Sequence, residues 1–332
     1  MFVAAVAMCV AAAAIFASWL PLPVSIVTVF LFAGPHNWFG FRYFLMRLPA
    51  RFGRSRTFFL TAFIGLAGLT ISYVSLPFAY EAFAASSETW LIVLAIWNTL
   101  MLAWLVALVQ LRAKQKRAGI VESQQTFGSS QRTFDSSRRT ADWSWAVPVA
   151  LALAALNWLA PDFFSLALVY VHPLVALWFL DRHLKKTRPG WVGLYRRCLC
   201  LLPLVLALMI WRLSATTPLA DDNGLFWRIT QHSGAQLLPQ LSSHMLVSVH
   251  LFLEMLHYGV WIFALPLLGP GFWDFGLKPK GFSRKALLVV GVIAVVVLWV
   301  GFTADYTKTR DLYFTIAIAH VLAEAPFLLR ML

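Results

Sequence analysis

Residues 248–261 read SVHLFLEMLHYGVW, inside an apolar run that extends over 241–266. About 20 apolar residues cross a hydrocarbon core roughly 30 Å thick, so the run is long enough for a membrane span. Its exceptions are His250, Glu254 and His257. Ionisable groups at membrane depth are costly, turn toward the inside of a helix bundle and mark functional sites. The stretch therefore predicts helices crossing a bilayer and, within them, a place for chemistry.

The rest of the chain agrees. Of 332 residues 60% are hydrophobic and 12% charged, against about half and a quarter in a soluble domain. The pattern predicts an all-α polytopic integral membrane protein with about ten spans, near 2–20, 22–46, 57–79, 89–111, 143–160, 162–181, 196–213, 241–266, 286–303 and 312–331. Its expected place is a bacterial inner membrane. The N-terminal run has no basic leader or clear cleavage site, so it reads as a retained first helix.

The net charge of +13 does not point to nucleic acid, because the basic residues sit in short loops between spans, where they determine topology. Loops 47–56, 112–140, 182–197 and 267–285 are basic, whereas the alternate connections hold fewer Lys and Arg, namely Arg228, Lys308 and Arg310. The alternation predicts both termini in the cytoplasm. Residues 113–142, rich in Ser, Gln and Arg, read as a flexible cytoplasmic linker. It separates four spans in 1–112 from six in 143–332. Cys9, Cys198 and Cys200 suggest neither a disulfide framework nor a metal clip.

Three of the eight histidines, His183, His232 and His244, fall near expected span ends and read as interfacial. The other five do not. His36, His172, His250 with His257, and His320 lie on four expected spans at similar depth, counting 1.5 Å per residue. His250, Glu254 and His257 share an arc of about 60° on one helix, and Glu254 to His257 has the Glu-x-x-His spacing of carboxylate-bridged bundles. Glu324 follows His320 by one turn. A lone intramembrane histidine is usually a hydrogen-bond partner; this grouping suggests ligands. The candidate metal ligands are His36, His172, His250, Glu254, His257 and His320, with Glu254 as pivot and Glu254 and Glu324 as ligands, bridges or general bases.

Imidazole and carboxylate without thiolate suit iron, copper or zinc, and a His-rich site with open positions suits non-haem iron. One ion, or two bridged by Glu254, would fit. The spacing HxxxExxH is not the zinc-hydrolase HExxH. The expectation is an intramembrane iron oxidoreductase or oxygenase acting on a lipid or isoprenoid, its apolar substrate lying along aromatic walls such as Trp38, Phe39, Phe41, Tyr258 and Trp261. Haem held by paired histidines, in a quinone-reactive or electron-transfer protein, is the first alternative. A proton-coupled transporter is the second. In architecture and histidine content the pattern is similar to the bacterial retinal-forming carotenoid dioxygenases, polytopic proteins for which a four-histidine iron site is proposed. That resemblance carries over no individual residue.

Overall fold

The structure, a computed structural model, describes residues 2–48, 53–82, 86–126, 143–220, 222, 224–268 and 284–331. Every α or longer element among them is helical: α1 (Phe2–Trp19), α2 (Pro21–Arg47), α3 (Arg56–Ala82), α4 (Ser87–Thr126), α5 (Ala146–Leu159), α6 (Pro161–Thr187), α7 (Val192–Leu213), α8 (Leu225–His232), α9 (Ser243–Tyr258), α10 (Leu265–Leu268), α11 (Arg284–Ala304) and α12 (Tyr306–Met331). A π-helical stretch, Gly259–Ala264, joins α9 to α10. The basic loop 269–283 and residues 127–142 of the expected linker lie outside the described residues. Residues 113–126 of that linker continue α4 as helix.

Proline sets two of the helix boundaries. A residue before proline is pushed out of the helical region, and proline itself fits the first helical turn. Leu20 before Pro21 has φ −134°, and Ala160 before Pro161 has φ −154°. The chain breaks at both places, where the sequence predicts short connections.

Among the described residues, seven helices are long and apolar enough to cross a membrane. Three shorter apolar helices, Val6–Trp19, Ala146–Leu159 and Leu288–Ala304, fall on the remaining expected spans. The residues facing outward fit lipid: Val290 is 56% exposed, Leu201 57% and Ile71 66%. Buried positions hold His36, Asn98, Asn157, Glu254 and Arg310. Polar groups inside and aliphatic groups outside is the arrangement a bilayer imposes.

The chain forms two units, Met1–Leu48 with Ser165–His320, and Pro49–Phe164 with Val321–Leu332. In the first, Ala13 and Ala17 of α1 pack with Met209 and Leu213 of α7 and Leu251 and Phe252 of α9. Small residues let helices approach where lipid offers no hydrophobic drive. A second cluster joins Val29 and Ala33 of α2 to Phe302 of α11 and Tyr313 of α12. In the second unit, Asn98 of α4 donates to Asn157 of α5 at 2.8 Å, and Asn157 donates to the Ala95 carbonyl at 2.8 Å. Trp104 enters the space left by the missing side chain of Gly65 and donates to the Thr61 carbonyl at 3.0 Å.

Candidate metal centre

Four helices of the first unit bring His36 (α2), His172 (α6), His257 (α9) and His320 (α12) together. His36 Nε2 lies 3.1 Å from His320 Nε2 and 2.9 Å from His257 Nε2. The ligand atoms of these three lie within 4.8 Å of one another, and all three residues are buried. His172 stands beside His257, with ring centroids 4.6 Å apart, and 6.4 Å from the His320 ring. A nitrogen–nitrogen contact of this length needs a lone pair on at least one partner, which is the neutral form a metal also requires.

Metal geometry can be tested against these distances. With metal–nitrogen bonds of about 2.1 Å, ligands at right angles stand about 3.0 Å apart and tetrahedral ligands about 3.4 Å. The observed 2.9 and 3.1 Å match two right-angle pairs sharing His36. The residues present therefore fit a transition ion with further positions open.

Local sequence explains how the rings arrive. Pro35 precedes His36 inside α2 and Pro173 follows His172 inside α6; proline removes a backbone donor and bends a helix. One turn after His36 stands Gly40. A Cβ there would overlap the His320 ring, lying 2.7 Å from its Nδ1, so glycine is what admits that imidazole. His257 lies two residues before the π-helical stretch that begins at Gly259, a distortion frequent at functional sites. The carbonyls of Ala33 and Pro173 face His36 and His257. The Nδ1 atoms of these rings make no regular hydrogen bond, so the carbonyls favour Nδ1–H and leave Nε2 turned to the cluster.

Aromatic side chains close the inner wall. Trp261 is 1% exposed, with its ring 5.5 Å from His320, 6.5 Å from His257 and 5.5 Å from Phe44. Phe44 lies 5.8 Å from His320, and Tyr258 lies 4.8 Å from His36. These rings keep water from the nitrogens and hold the imidazoles in place.

The structure does not bring His250 and Glu254 to this cluster. His250 packs on Tyr170 at 5.6 Å and His232 at 5.1 Å. Glu254 accepts a 2.7 Å hydrogen bond from the Tyr258 hydroxyl. The shared helix stripe is real, but seven residues rise about 10 Å, so His250 and His257 meet different neighbours. Glu254, 4.5 Å along the axis and 60° around from His257 by ideal geometry, turns toward α12. Glu324 is buried one turn beyond His320 on the same helix. Of the expected interfacial histidines, His244 bonds the Ser18 carbonyl at 2.8 Å, whereas His183 is buried near Tyr43.

Gly40 and the α12 residues Arg310 and Tyr313 escape a reading that follows histidines. Gly40 carries a signal, its four-residue spacing from His36, and the α12 series Arg310, Tyr313, Ala317, His320 and Glu324 advances by threes and fours on one stripe. No family model matches the chain, and no curated protein or solved structure matches it, so its own geometry carries the assignment.

Proposed function

We propose that His36, His172, His257 and His320 hold one transition ion, non-haem iron in the first instance, in a membrane oxidoreductase or oxygenase acting on a lipophilic substrate. The observation that carries this reading is the pair of Nε2 contacts at 2.9 and 3.1 Å, sharing His36. A set of imidazoles without thiolate suits such an ion, which when bound would supply redox and Lewis-acid chemistry. The protein's part is to orient four rings from four helices and keep bulk water out with Trp261, Phe44 and Tyr258. Glu324, on the His320 stripe, is the proposed further ligand or base. Ten spans with both termini cytoplasmic in a bacterial inner membrane complete the proposal, the three shorter apolar helices supplying the spans beyond seven.

Haem is less well served. A macrocycle held between two imidazoles needs them on opposite sides of its iron, whereas nitrogens 2.9 and 3.1 Å apart leave no slot for it. Elemental analysis with an optical spectrum of the detergent-purified protein tests the proposal. One equivalent of iron without a Soret band supports it. Less than about a tenth of an equivalent of any transition metal after expression in replete medium overturns it, and a Soret band moves the assignment to haem.

A further inference from the structure

Beside the histidine cluster, the first unit buries a carboxylate and a guanidinium that do not meet. Glu254 is 7% exposed and Arg310 5%. Each lies in the other's electrostatic field, yet they form no ion pair. Among the described residues the one hydrogen bond to Glu254 comes from Tyr258, at 2.7 Å. Arg310 stands over the Phe314 ring at 4.7 Å and reaches Asp311 only at 4.0 Å, and its Nε has no hydrogen-bond partner.

Hydroxyls and amides line the same region. Asn37 donates to the Tyr313 hydroxyl at 3.1 Å, and that hydroxyl adjoins Tyr258. Tyr306 donates to the Ile26 carbonyl at 2.9 Å. Asp311 at 4.0 Å is a long partner for a buried guanidinium and Glu254 has a single hydrogen bond; buried charges need fuller pairing than this, so the arrangement calls for a group that joins the two. Such a group must accept from Arg310 and donate to Glu254. The pair is neutral as a whole, so a charged ligand would leave net charge in a low-dielectric interior. A hydroxyl accepts and donates at once and carries no charge.

We propose that Arg310 and Glu254 bind the hydroxyl end of an apolar ligand whose chain lies toward the histidine cluster. The direction of the chain rests on the metal-centre reading; the hydroxyl site does not need the metal. Ten residues of α12 separate Arg310 from His320, a rise of about 15 Å. The proposed substrate is thus a long-chain or isoprenoid alcohol, reacting about 15 Å from its hydroxyl.

The test uses hexadecan-1-ol carrying a mid-chain diazirine, photolysed with the full-length detergent-purified protein, and attachment sites read by mass spectrometry. The methyl ether of this probe accepts but cannot donate, and the matching carboxylic acid is an anion. Saturable labelling of α9 and α12 by the alcohol is expected. Labelling by the ether, or of Arg310→Gln by the alcohol, should be weaker by at least about tenfold. Metal-stripped wild-type protein should be labelled like metal-loaded protein, which separates this site from the metal centre. If Arg310→Gln fails to fold, the alcohol–ether comparison on the wild-type protein decides alone. Labelling that does not saturate, equal labelling by alcohol and ether, or preferential labelling by the acid overturns the proposal.

Discussion

Replacing Gly40 by Ala adds one carbon at a position that the His320 ring already fills. The new Cβ would stand 2.7 Å from Nδ1 and 3.4 Å from Nε2, whereas unbonded heavy atoms rest about 3.5–4.0 Å apart. The ring must therefore retreat by about 1 Å, several times the roughly 0.2 Å tolerance of a metal–ligand bond. Stability should fall by no more than about 2 kcal/mol, because overpacking costs about 1–3 kcal/mol and Ala in place of Gly in a helix returns about 1 kcal/mol. Metal affinity should fall by at least about tenfold, the low end for a misplaced histidine ligand. The assay is bound metal per chain against free metal, run beside a thermal melt. Gly68→Ala is the control, since a Cβ there meets nothing within 4 Å. A Gly40→Ala protein that binds metal as tightly as wild type would refute the claim that His320 needs this gap.

Other variants probe separate parts of the structure. Asn157→Ala removes its hydrogen bonds with Asn98 and Ala95; it should destabilise by about 0.6–1.7 kcal/mol and leave metal content unchanged, and a loss of metal would contradict the separation of the two. Trp261→Ala uncovers His257 and His320 and should admit water, broadening the metal's spectroscopic signature; an unaltered signature would show the indole to be dispensable. His232 lies on α8, outside the candidate spans, and burial, then His250 and Arg310, pushes its imidazole well below the ordinary range. The unfolded chain takes up that proton first as pH falls, so stability should decline below about pH 6.5. His232→Asn should flatten the decline by up to about 1.4 kcal/mol per pH unit; an unchanged slope would contradict the assignment.

Much of this was legible in the sequence. Apolar length and composition identify helices long and apolar enough to cross a membrane, and pre-proline residues place two of the helix breaks. Depth counting picks out His36, His172, His250, His257 and His320 from eight histidines, because rise per residue is fixed, and four of those five meet in the structure. Which of the residues on one helix share a site is not fixed in that way. His250, Glu254 and His257 share a stripe, but their partners depend on where α2, α6, α8 and α12 cross α9, and those crossings are set by packing. Gly40 shows the same limit, since its role appears only when another helix's ring is seen in the space beside it. His183 reads as interfacial from its basic surroundings, yet its ring turns inward, burying against Tyr43.

X-ray absorption at the edge of the bound metal tests the central claim most directly, because it counts imidazoles and measures their bonds. The account predicts a nitrogen or oxygen shell near 2.1 Å with multiple scattering from at least three imidazoles. That count should fall by one in His36→Ala and in His257→Ala. A purified protein without metal, or a metal shell with fewer than three imidazoles, would contradict it.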